Sequence, residues 1–133
     1  MRLYSVAVAS LAIDAPGRWT DNLIAQHDIP DVLSRTRGVA RGISWAGLVR
    51  IALIREFHVA LGCGVRDAVA LSDALLQSAT GNLKVGRWST VAFDRRVLEQ
   101  DLQHRLAEAL ESAPRPRRGR PARRAVSNRT PRG

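Results

Sequence analysis

Thiol chemistry in this chain is limited to one cysteine, Cys63. It can close no internal disulfide and supply no thiolate cluster, which excludes a disulfide-stapled scaffold and a cysteine-rich zinc module. A long hydrophobic run is missing as well. The apolar stretch Leu3 to Ile13 is broken by Asp14 and Pro16, is too short to span a bilayer, and lacks a convincing cleavage site, so a soluble, cytoplasmic chain with no membrane partner is expected. No glycine-rich phosphate loop follows a strand, and no nucleophile comes with a paired histidine and acid. His27, His58, Cys63 and His104 fall on different predicted elements without ligand spacing. Neither metal nor cofactor is expected, and nothing points to an enzyme.

Lysine is as scarce as cysteine. Lys84 is the only one among 21 basic residues, and the rest are arginine. With 12 acidic residues the formal net charge is +9. Arginine in such excess favours partners that present phosphate or planar acceptors, because its guanidinium donates in a fixed two-pronged geometry. Otherwise the composition, 45% hydrophobic and 25% charged, is that of an ordinary folded protein. At 133 residues there is room for one modest domain, or a small domain with an appendage.

The charge is uneven. Residues 1–93 carry ten basic and seven acidic groups, and residues 94–112 carry three and five. Residues 113–133 hold eight arginines, four of the six prolines and no acid. With almost no large apolar residue, that tail cannot offset its ordering entropy and is expected to be disordered in the free protein. Within it, Arg117-Arg118-Gly119-Arg120-Pro121, flanked by further arginines and an upstream proline, resembles the AT-hook, a segment that lies in the minor groove of AT-rich DNA. Glycine would let the backbone approach the groove floor, the arginines would reach into a narrow, strongly negative groove, and proline would keep the segment extended. The plainer alternative is a solubilising basic tail.

Along the rest of the chain, Leu3 to Ile13 suits a short helix, with a strand left open by Val6 and Val8. Asp14-Ala15-Pro16-Gly17 reads as a turn, and a second helix from about Gly17 to Gln26 follows. Pro30 stops the helical period, and Arg35 to Gly42 reads as an exposed basic loop or small hairpin. Ser44 is placed to cap a helix from Trp45 to Leu61 that is apolar on more than one face. Gly62 and Gly64 end it, and another helix spans Val65 to Leu76. A strand or tight hairpin around Gly86 precedes Asp94, the predicted cap of a last helix to about Ser112. Val97, Leu98, Leu102, Leu106, Ala109 and Leu110 form its apolar stripe, which closes onto the domain or onto a second copy. Trp19, Trp45 and Trp88 each lie in an apolar pattern and are expected as core anchors.

Helix, turn, helix, basic loop, long helix, shorter helix is the order of the MerR-type winged helix-turn-helix. Thr20-Asp21-Asn22-Leu23-Ile24, then Asp28-Ile29-Pro30, sits where that family has Thr-Leu-Arg and two aromatics, then Gly-Leu-Leu. Arg35 to Ser44 resembles its basic wing, and Leu48-Val49-Arg50 with Ile54-Arg55-Glu56-Phe57 resembles the helix that follows. The resemblance covers residues 4–76. It implies a mainly α, winged helix-turn-helix domain over 1–78; beyond it, the residue pattern reads as a strand segment with a C-terminal dimerisation helix over 79–112 and the basic, AT-hook-like tail over 113–133. Arg18 and Asn22, one turn apart with Thr20 beside them, would read base edges in the major groove. Arg35, Arg37 and Arg41 would hold phosphates from the wing. The function expected is that of a sequence-recognising, nucleoid-associated transcriptional regulator binding double-stranded DNA as a homodimer, with any small-molecule effector unknown. The alternatives are a nucleoid-type architectural protein and a protein-interaction adaptor.

Overall fold

The computed structural model describes residues 2–33 and 42–113, and the chain is mainly α-helical. The Ser5 hydroxyl accepts from the Val8 N–H and starts α1 (Val6–Ala12). Asp14, at φ 55, turns the chain. Pro16, its φ already helix-compatible, then stands as the N-cap of α2 (Gly17–Gln26). Ala9 and Ala12 of α1 and Leu23 of α2 are buried in one shared core.

Two short strands follow, β1 (Val32–Leu33) and β2 (Gly42–Ile43), paired antiparallel with Val32 opposite Ile43. Tyr4 adds a third line on the far side of β2: its N–H donates to the Ile43 carbonyl at 2.7 Å, and the Ile43 N–H donates back at 2.9 Å. The base of this hairpin is clasped to the next helix. The Ser44 hydroxyl donates to the Asp31 carbonyl at 2.8 Å and accepts from the Gly47 N–H at 3.1 Å, capping α3 (Trp45–Ala60). Gly47 is needed at that spot, because a Cβ there would stand 2.5 Å from the Asp31 carbonyl oxygen.

Helix α3 is the centre of the molecule. Leu48, Val49, Ile51, Leu53, Ile54 and Phe57 are all buried, as a helix apolar around most of its circumference requires. Gly62, at φ +70, ends the turn after it, and α4 (Val65–Gln77) runs back along α3. The Arg50 guanidinium meets the Asp73 carboxylate at 2.7 Å, and Gln77 donates to the same carboxylate at 3.1 Å. Beyond it, β3 (Asn82–Val85) and β4 (Ser89–Ala92) form a hairpin turned by Gly86, at φ +68, Arg87 and Trp88.

The Asp94 carboxylate accepts from the Val97 N–H and caps α5 (Arg95–Ser112). Leu102, Leu106 and Ala109 pack against α1 and α3 in the same core as Leu23 and Leu48, so residues 79–112 complete the fold of residues 1–78. Of the two covers the stripe left open, the domain itself or a second copy, Leu102, Leu106 and Ala109 take the first. An apolar stripe specifies that a face is covered but not by what, and the nearest cover is α1. Val97, at 59% exposure, and Leu110 stay on the surface. Trp88 also departs from expectation: it is 88% exposed, because it lies in the turn between β3 and β4, beyond the strand alternation that would have directed it inward. Among the described residues no helix is long and apolar enough to cross a membrane.

Candidate nucleic-acid interface

The predicted reading helix, α2, divides cleanly into two faces. On its inner side Leu23 is buried and Trp19 is half-buried. The Trp19 ring has the Arg55 guanidinium 4.8 Å from its centroid and stacks with the His58 ring at 5.9 Å and 24°. Arg55 also donates to the Asp14 carbonyl at 3.3 Å, so one α3 side chain holds both the turn and the helix after it. On the outer side Arg18, Asp21, Asn22, Ala25 and Gln26 are exposed. Arg18 and Asn22 share that face one helical turn apart, as the spacing predicts.

Thr20 does not join them. It is fully buried, and its Oγ1 accepts a 2.7 Å hydrogen bond from the Ser10 hydroxyl on α1. Two positions on from Arg18, a helical residue points nearly to the opposite side, and here that side is the α1 packing surface. Thr20 is thus a link between α1 and α2 and has no route to a groove.

Arg35, Arg37 and Arg41 lie outside the described residues, as do Arg117, Arg118, Gly119, Arg120 and Pro121 of the tail. What is described of the first group is the base that carries them: the β1–β2 pairing, the Tyr4 bridge to Ile43 and the clasp from Ser44 to Asp31. The tail follows α5, whose last residue is Ser112.

The sequence places a strand or hairpin around Gly86 but assigns no candidate site residue to it. Lys84, Arg87 and Trp88 are exposed there, with the Arg87 guanidinium 5.5 Å from the centre of the Trp88 ring. The signal was present, since no acidic residue occurs between Asp73 and Asp94. Among the described residues no group of three or more histidine, cysteine, aspartate or glutamate side chains is placed to hold a metal ion. His58 instead bonds through Nδ1 to the Cys63 carbonyl at 2.8 Å. Compared with protein-family models, curated proteins and solved structures, the chain matches none.

Proposed function

We propose that this chain is a sequence-recognising regulator of transcription that binds double-stranded DNA as a homodimer and catalyses no reaction. The observation that carries the reading is the outer face of α2, where Arg18 and Asn22 stand exposed on a helix whose inner face is held to α1 and α3 by Thr20, Leu23 and Trp19. A major groove about 12 Å wide admits a helix held in this way. Arginine is suited to the acceptor edge of guanine and asparagine to adenine. Arg35, Arg37 and Arg41 would hold phosphates beside it, and the Arg118 to Pro121 segment would add a minor-groove contact. The MerR-type likeness supports the same arrangement through the order of elements, from the Tyr4 bridge to Ile43 through α4.

The test is selection of bound duplexes from a random pool by the full chain, repeated with Arg18→Ala and Asn22→Ala. A consensus that loses one or two positions in each variant supports the reading, and an unchanged consensus moves the reading surface elsewhere. The eight acid-free arginines of the tail favour a second reading, an architectural protein whose tail does most of the binding. A chain ending at Ala113 separates the two: retained selectivity belongs to the regulator, loss of all binding to the architectural protein.

A further inference from the structure

Among the described residues the β3–β4 hairpin stands out by its exposure, and its composition is unusual for a surface turn. Trp88 is 88% exposed and Val85 40%. Lys84 and Arg87 are exposed beside them, and the hairpin carries no acid to balance either cation. A tryptophan left in water forgoes most of the burial that its large ring would gain, and Trp–Arg pairs are typical of surfaces that become covered on binding.

Its base is hydrogen-bonded. The Ser78 hydroxyl, at the C-cap of α4, donates to the Asn82 carbonyl of β3 at 2.8 Å, and the Phe93 N–H donates to the Gly81 carbonyl at 3.2 Å, joining the end of β4 to the residue before β3. The position of the α4 end matters. Because α4 runs back along α3, with Arg50 paired to Asp73, its C-terminus lies at the N-terminal end of α3, the end that β2 and Ser44 lead into. The Trp45 indole N–H donates to Glu99 in the first turns of α5 at 3.2 Å, which ties the exit of the second hairpin to the same end. Two hairpins with basic residues and no acid, one joined through residues 34–41 and one tipped by Arg87 and Trp88, therefore spring from one end of the α3–α4 pair.

We propose that the β3–β4 hairpin is a second arm on the DNA backbone, an inference that rests on the DNA-binding reading above. Lys84 and Arg87 contact phosphates, and the Trp88 ring lies against the sugar edge of the adjacent minor groove. The contact is independent of sequence and extends the footprint beyond the base pairs that α2 reads.

The experiment uses the full chain with a labelled duplex of the selected sequence and another of scrambled sequence, titrated across salt concentration. Lys84→Ala with Arg87→Ala is expected to weaken binding to both duplexes and to flatten the dependence of log affinity on log salt by about 1.8, roughly 0.9 for each phosphate no longer neutralised. Trp88→Ala is expected to weaken both severalfold while the far-ultraviolet circular dichroism stays unchanged, since the side chain stands almost wholly in solvent beside Arg87. The difference in emission between the unmodified chain and Trp88→Phe isolates this tryptophan, and its quenching by acrylamide is expected to fall when duplex is added. Unchanged affinity, slope and quenching, with the unmodified chain still binding, overturn the arm and leave the α2 reading intact. Failure of the unmodified chain to bind any duplex overturns both. A Trp88→Ala chain that binds DNA normally but sediments as a smaller species assigns the hairpin to a protein contact and also overturns the arm.

Discussion

Thr20 and Arg18 show how two neighbouring side chains on one helix come to serve different ends. Thr20→Val keeps the shape of the side chain but leaves the buried Ser10 hydroxyl without its acceptor, so a loss of about 1–3 kcal/mol in a urea unfolding titration is expected. Adding Ser10→Ala removes the stranded donor, and part of that loss is expected to return, because taking away both polar partners is cheaper than taking away one. Base preference in the folded fraction should not change. Arg18→Ala and Asn22→Ala are expected to do the reverse, leaving the unfolding midpoint in place while each costs about 1–3 kcal/mol against the selected sequence. Gly47 is a third kind of position. Its Cβ would press on the Asp31 carbonyl, a backbone atom that cannot swing aside, so Gly47→Ala is expected to cost about 1–3 kcal/mol of stability and to lower binding only through the unfolded fraction.

At the level of helices and strands, the decisive case is α5. Leu102 and Leu106 are 3% and 6% exposed, so Leu102→Asp with Leu106→Asp places two charges in the core and is expected to abolish cooperative thermal unfolding by circular dichroism. A folded, monomeric double variant would contradict the packing of α5 on α1. Much of this architecture was legible beforehand. Ser44 and Asp94 announced the starts of α3 and α5, Pro16 and Gly17 the start of α2, and Gly86 the second hairpin, because caps and turns act over three or four residues of chain. The role of Thr20 was not legible, since its partner Ser10 belongs to another helix and a polar residue on a short helix reads equally as exposed. The direction of the α5 stripe and the exposure of Trp88 escaped for a related reason. Each depends on where a segment ends up in space, and local periodicity carries no such information.

On the scale of the whole molecule, cations are distributed over separate elements: Arg18 on α2, Arg35, Arg37 and Arg41 between β1 and β2, Lys84 and Arg87 on the second hairpin, and eight arginines in residues 113–133. Under the proposed function these groups differ in what they report. Alanine at Arg35, Arg37 and Arg41 together is expected to weaken binding to every duplex and to reduce the salt dependence, because phosphate contacts carry no base information. Arg118→Ala with Arg120→Ala is expected to reduce binding to AT-rich duplexes more than to GC-rich ones at one fixed salt concentration, since the guanine amino group obstructs the minor-groove floor. Equal losses on the two would reduce the tail to a reservoir of charge, and lysine would then replace its arginines without effect.

The clasp between Asp31 and Ser44 bears on how such a protein could diverge. Its hydrogen bonds, the β1–β2 register and the Tyr4 bridge all lie outside residues 34–41, so none of these contacts, which close the hairpin, depends on which side chains its tip carries. The closure entropy of the connection between the two strands grows slowly with its length, by about 0.6 kcal/mol for each doubling. Exchanging residues 34–41 for a sequence of another length or charge is therefore expected to leave the Asp31–Ser44 clasp and the start of α3 in place, which amide hydrogen exchange at Gly47 in the exchanged chain checks.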